Sequence, residues 1–176
     1  MSRTVTLYIA MSLDGYIATE DDNLDFLSQV ERPGEDYGHS DFLKNIDTVI
    51  WGRRTFDIVL GFGKGVPYAD KAVYVISKSR TGTEAHARYH ADVVALIRQL
   101  KQQPGKGIYC DGGGQIVLEL LRHRLIDRII VSVIPQLLGS GIRLFREGAP
   151  EQEIAFKQSI TYPTGLVQLW YDVKHA

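Results

Sequence analysis

Cysteine is nearly absent: Cys110 stands alone among 176 residues. No internal disulfide can form, so packing must hold the fold, and a reducing, cytoplasmic setting is the expectation. Net charge is missing too. Twenty Lys and Arg stand against 21 Asp and Glu, a formal charge of −1, which excludes a global pull toward nucleic acid or an anionic membrane. No apolar run approaches the roughly 20 residues that span a bilayer. The strand-like opening, residues 4–10, has neither the apolar core nor the cleavage site of a signal peptide. Two nucleotide-binding motifs are also missing. No G-x-G-x-x-G follows the first strand-like run, and no G-x-x-x-x-G-K-[ST] occurs; residues 61–65 (GFGKG) are glycine-rich at the wrong spacing. His86 and His90 lie four apart near Glu84, but no third ligand accompanies them, so no metal site is expected.

What is present describes an ordinary globular chain. Apolar residues make up 44% and charged residues 23%, values that fit one domain with a core of its own. Short β-rich runs occur at 4–10, 47–51, 72–76, 107–110, 126–134, 153–161 and 165–173. The runs at 47–51, 72–76 and 107–110 are almost wholly apolar, as strands buried on both faces of a parallel sheet must be. Helical patterns lie between them at 40–45, 53–60, 92–103 and 113–121. The clearest has Asp92 as its N-cap, an apolar stripe of Val93, Leu96, Ile97 and Leu100, and Pro104-Gly105 as its stop. Tyr162-Pro163-Thr164-Gly165 reads as the turn of a C-terminal antiparallel hairpin. The alternation of strand and helix predicts a single α/β domain with a mixed, mainly parallel sheet of seven or eight strands. Loops at 31–38, 61–70 and 135–152 are long enough to serve as lids.

Ligands of open α/β sheets bind at the carboxyl ends of strands. Three such ends carry unusual residues. Gly52-Arg53-Arg54-Thr55 opens a helix, where backbone N–H groups and two guanidinium forks suit phosphate; a solvated helix start is the plain alternative. Ser77-Lys78-Ser79-Arg80 offers two hydroxyls and two cations for a phosphate monoester, or is simply a polar turn. Asp111-Gly112-Gly113-Gly114-Gln115 leads into another helix, and its three glycines let a ligand come close to the backbone. Two helix starts for a pyrophosphate plus a separate cationic cluster describe a dinucleotide with an extra phosphate, that is NADPH rather than NADH.

These segments together resemble the dihydrofolate reductase fold, in the branch shared with the reductase domain of bacterial riboflavin biosynthesis. Residues 11–18 (MSLDGYIA) resemble the first strand and loop of that family, and residues 52–56 (GRRTF) its cofactor-helix motif. Residues 111–115 (DGGGQ) resemble its glycine loop. The stretch from Leu125-Ile126-Asp127 through Pro135, Leu137-Leu138-Gly139-Ser140-Gly141 and Leu144-Phe145 resembles the riboflavin-type branch. The likeness covers almost the whole chain, in order.

The resemblance implies a three-layer fold and an NADPH-dependent reductase acting on a pterin- or aminouracil-like heterocycle. Ala10 and Ile17 would line the nicotinamide; Gly52, Arg53, Arg54 and Thr55 would hold the pyrophosphate and part of the adenosine phosphate. Ser77, Lys78 and Ser79 would flank the adenosine ribose. Gly112, Gly113, Gly114, Gln115 and Ile116 would bind phosphates through backbone N–H groups, with a cis peptide at Gly112–Gly113. Asp41 or Asp111, or water, would supply the proton. The segment 19–38, with Phe26, Leu27 and Tyr37, would close the substrate pocket. Two departures accompany the likeness. Tyr16 replaces the lysine that usually follows D-G in the riboflavin-pathway reductases, and residues 57–62 (DIVLGF) lack their D-x-P-x-L stretch. Reduction of a phosphoribosylamino-uracil and a non-catalytic NADPH-binding regulatory module remain the alternatives. A homodimer paired through 126–134 and 135–145 is also implied.

Overall fold

The structure is a computed structural model that describes residues 2–175. The chain opens with β1 (Val5–Ser12) and the short β2 (Tyr16–Ala18), followed by a 3-10 turn over Asp25–Val30 and the helix α1 (His39–Leu43). Next come β3 (Ile46–Gly52), α2 (Arg53–Gly61), β4 (Ala72–Ile76), β5 (Thr83–Glu84) and β6 (Ala87–His90). The helix α3 (Val93–Lys101), β7 (Gly107–Cys110), α4 (Gly114–Arg122) and β8 (Arg128–Ile134) follow. Last are β9 (Ile142–Arg143), β10 (Ile154–Thr161) and β11 (Val167–Val173).

Nine strands form one sheet in the order β10-β11-β8-β1-β7-β3-β4-β6-β5. Its centre, from β8 to β6, is parallel. β11 joins β8 antiparallel and β10 closes the hairpin, as the turn chemistry at 162–165 required. β2 and β9 form a separate two-stranded ribbon. The added strands β5 and β6 lie at 83–90, where the sequence reads as polar surface. They are short and exposed on one side, so no apolar pattern marks them, and β6 is specified by its pairing with β4. Within the chain β8, which the sequence reading places at a dimer axis, is hydrogen-bonded on both sides, by β1 and β11.

Side-chain alternation sorts the central strands into two cores. Leu7, Ile50, Ile108 and Cys110 face α3 and α4, whose Leu96, Ile97, Val117 and Leu120 complete one cluster. Tyr8, Val49, Trp51 and Tyr109 face the opposite way, against Phe56 of α2 and Phe42 and Leu43 of α1. The result is three layers, helix–sheet–helix. α3 begins as its sequence requires: the Asp92 carboxylate accepts from Val94 N at 2.8 Å and Ala95 N at 3.0 Å. Replacing Asp92 by Ala should therefore cost about 1 kcal/mol. Leu120, fully buried, is in a different class. Leu120→Ala should destabilise the chain by about 2–5 kcal/mol in urea unfolding, since a methyl stub leaves a cavity between α4 and the sheet.

Candidate active site

The helices α2 and α4 start differently from α3. Their N-caps are Gly52 and Gly113, and neither receives a side-chain cap. Both starts sit at carboxyl ends of adjacent parallel strands, β3 and β7, and backbone ties them together: Gly52 N donates to Gly112 O at 2.8 Å. Gly112 has φ +93, and the Gly112–Gly113 peptide is cis, as the family likeness implied. A Cβ on Gly113 would lie 3.2 Å from Thr55 Oγ1, and one on Gly52 would lie 3.2 Å from Ile116 Cγ1. The glycines therefore let two helix starts face one space, each presenting uncapped N–H groups and the positive end of a dipole.

That space is a cleft of about 1140 Å³. It is lined by Ala10, Ile17, Gly52, Arg53, Arg54, Thr55, Ser77, Lys78, Asp111, Gly113, Gly114, Gln115 and Ile116. Thus most of the residues singled out from the sequence meet in one place. Four do not. Asp41 is corrected: its side chain is 81% exposed and pairs with Lys44 at 2.6 Å on the surface of α1, away from the cleft. Ser79 lies outside the cleft, its backbone N–H turned to Ser77 Oγ at 3.3 Å. Gly112 shapes the wall through its carbonyl rather than lining it. Arg80 is committed elsewhere, its guanidinium forked onto Asp57 at 2.6 and 3.2 Å. The Ser77 hydroxyl accepts from Arg80 N at 3.0 Å, so it closes this turn while bordering the cleft.

The structure adds residues that no local pattern marks. Arg98 reaches the cleft from α3, and Arg146 from the loop after β9, where it donates to Gln115 Oε1 at 2.9 Å. With Arg53, Arg54 and Lys78 they make a cationic lining suited to phosphates. Arg54 is held by Asp22, N–O 2.6 Å, in the loop before the 3-10 turn. Tyr8 is the other addition. It borders this cleft and also a second cavity of about 670 Å³, and Ala10 and Leu27 border both. Tyr8, Ala10 and Leu27 thus form a junction common to the walls of both cavities. Phe26 is buried with Val30, Ile134 and Leu166, while Leu27 and Tyr37 line the second cavity.

A buried network fixes the junction. Gln168, 1% exposed, places the two N–H groups of Nε2 within hydrogen-bond reach of three acceptors, the Tyr8 hydroxyl at 3.1 Å, Tyr37 O at 3.2 Å and Ser132 Oγ at 3.2 Å. Its Oε1 accepts from Trp170 Nε1 at 2.7 Å. The Tyr8 hydroxyl donates to Tyr37 O at 3.0 Å. Burial pushes the Tyr8 phenol up to about 12, so it stays neutral. Burial likewise pushes the Cys110 thiol up to about 12, which leaves it a small inert hydrophobe. Hydrogen bonds from Ser12 and from the backbone of Gly139 and Leu138 hold the Asp14 carboxyl down near 2. Asp14 is thus a fixed acceptor joining two loops.

Asp111 is the titratable group in the cleft that stands out. It accepts from Trp51 Nε1 at 2.6 Å. Burial pushes its carboxyl up to about 6, against hydrogen bonds from Tyr109 and Trp51 that favour the ionised form. The folded pKa lies above the unfolded one, so folding binds a proton more tightly. The stabilisation is full below about pH 4 and is lost as pH rises through about 6. Asp111→Asn escapes this loss. Its stability in urea, relative to the unaltered protein, should rise between pH 4 and pH 7; a flat or falling difference would exclude the assignment.

Comparison with known proteins agrees with this arrangement. The family model of the RibD C-terminal domain matches residues 3–168. The chain is 39% identical over 173 residues to the uncharacterized protein YwjB of Bacillus subtilis, covering 97% of this chain and 98% of that one. A 54-residue stretch, 31% of this chain, is 39% identical to the riboflavin biosynthesis protein RibD of Escherichia coli, of which it spans 15%. A crystal structure described as a candidate riboflavin biosynthesis protein from Shewanella sp. PV-4 superposes with a TM-score of 0.89 at 31% identity, covering 99% of this chain and 100% of that one. A pyrimidine reductase-like protein from Corynebacterium diphtheriae shares the fold, with a TM-score of 0.68 at 14% identity over 99% of this chain and 93% of that one. Sequence order, sheet topology and the glycine-built cleft thus converge, and the chain belongs to the RibD C-terminal domain family.

Proposed function

We propose that this protein is an NADPH-dependent reductase that transfers a hydride to a pterin- or aminouracil-like heterocycle. One observation carries the reading: two uncapped, glycine-started helices share a cleft with five cations in its lining, and that cleft has Tyr8, Ala10 and Leu27 in common with a second cavity. The first space suits a dinucleotide, and the second suits a small flat molecule beside its reactive end.

The residues present fit the cofactor. The N–H groups at the starts of α2 and α4 would hold its pyrophosphate, since two dipole ends converge there without competing caps. Lys78, Arg53, Arg54 and Arg98 would neutralise the additional phosphate that separates NADPH from NADH. Ala10 and Ile17 supply an apolar floor for the nicotinamide. When bound, the cofactor supplies the hydride; the protein supplies orientation and electrostatics. Leu27 and Tyr37 exclude water from the junction. Asp111, with its carboxyl near 6, would hold a proton in the cleft under mildly acidic conditions, and solvent at the open mouth is the other source.

The test is calorimetric titration with NADPH and NADH at fixed salt. NADPH should bind at least about ten-fold tighter, a gap of about 1.4 kcal/mol. Lys78→Ala should narrow that gap by weakening NADPH more than NADH, because it removes a charge and no backbone contact. Hydride transfer is then read as loss of NADPH absorbance with reducible pterins and uracils. If neither cofactor binds, the cleft is structural and the reductase reading fails.

A further inference from the structure

The second cavity differs from the first in charge. Its walls are apolar, formed by Leu27, Val30, Ile134, Leu166 and the ring of Tyr37. Its polar floor is small: the Tyr8 hydroxyl and Ser132 Oγ, both tied to Gln168 Nε2. Its mouth is the loop 31–38, which contributes three carboxylates, Glu31, Glu35 and Asp36, and one cation, Arg32. The loop's own backbone fixes two of these carboxylates. Asp36 accepts from Gly38 N and Ser40 N, each at 3.0 Å, and Glu35 accepts from Tyr37 N at 2.8 Å. No ion pair neutralises Glu31, Glu35 or Asp36 among the described residues. His39, the remaining basic group of the lining, is held below its ordinary pKa by burial, against the pull of Asp36, and adds no charge at neutral pH.

Charge therefore divides the active site. Five cations (Arg53, Arg54, Lys78, Arg98 and Arg146) and four carboxylates (Asp22, Asp92, Asp111 and Glu119) border the cleft, a formal excess of positive charge, whereas the second cavity has Arg32 amid three carboxylates, a formal excess of negative charge. A phosphate monoester carries about −1.5 to −2 at neutral pH. It needs paired cations or a nest of N–H groups to leave water. Carboxylates on a rim act over about 8 Å at physiological salt, which spans such a mouth.

We propose that the second cavity takes a flat nitrogen heterocycle, neutral or cationic and without a phosphate, and that Glu31, Glu35 and Asp36 turn phosphorylated rings away. The proposal deepens the reductase reading and rests on it for the identity of the neighbouring cleft. The carboxylates select by repulsion, while the apolar walls hold the ring by its faces. A phosphate at the mouth meets carboxylates in place of the paired donors it needs.

The test uses a fluorescent pair that differs by one phosphate, riboflavin and FMN, titrated into the intact protein with and without saturating NADP⁺. NADP⁺ keeps FMN out of the cationic cleft. With NADP⁺ present, riboflavin should bind at least about ten-fold tighter than FMN. In a Glu31→Gln/Glu35→Gln variant the gap should shrink several-fold through a gain for FMN, with riboflavin unchanged. Both positions are exposed loop residues, and circular dichroism checks that the variant folds. The proposal is overturned if riboflavin does not bind, if FMN binds as tightly with NADP⁺ present, or if the variant leaves the gap unchanged. Failure of NADP⁺ to bind is a separate result. It sinks the reductase reading, while the response of the riboflavin–FMN gap to the two glutamate changes still reports on the second cavity.

Discussion

Backbone must meet backbone where β3 and β7 end, and the active site depends on that contact. The bond from Gly52 N to Gly112 O brings two helix starts side by side. A side chain at either position would interfere. At Gly112, φ of +93 disfavours any residue with a Cβ, and at Gly52 a Cβ would crowd Ile116. Because glycine occupies both N-caps, no side chain competes for the first N–H groups. The contrast with α3 is direct: Asp92 closes that helix start by hydrogen bonding, and no comparable carboxylate closes α2 or α4.

Parallel pairing turns this local chemistry into one cleft. β1, β7, β3 and β4 run in the same direction, so their carboxyl ends lie along one edge of the sheet. Residues distant in sequence then become neighbours without any loop having to reach far. The opposite end of β1 shows the same economy used for stability. There the Asp127 carboxylate accepts from Val5 N at 2.7 Å and from Lys101 Nζ at 2.7 and 2.8 Å, joining the first strand to α3. One end of the sheet is closed by such bonds; the other keeps its donors available.

A second long-range device shapes the junction of the two cavities. Gln168 comes from β11 and Tyr8 from β1, which are not adjacent strands; Ser132 of β8 lies between them. The amide spans this three-strand width and also holds the carbonyl of Tyr37, so the wall of the second cavity is anchored to the sheet rather than left as a free loop. An unpaired amide at this depth would be costly, and its oxygen is satisfied by the Trp170 indole.

By itself the sequence determined the layered α/β class, a capped helix over 92–103, the hairpin turn at 162–165 and the glycine and arginine segments that build the cleft. Each of these is a local signal: a periodicity, a cap, a breaker or a run of glycines. Tertiary structure decided the rest. It paired Arg80 with Asp57 and left Asp41 in solvent, although both look like ligand residues in a linear reading. It brought Arg98 and Arg146 into the cleft, specified β5 and β6 from their neighbours, and joined Gln168 to Tyr8 across 160 residues. The reason is physical. A charged side chain acts according to the partner it meets, and that partner is set by strand order and register, which no short window of sequence contains.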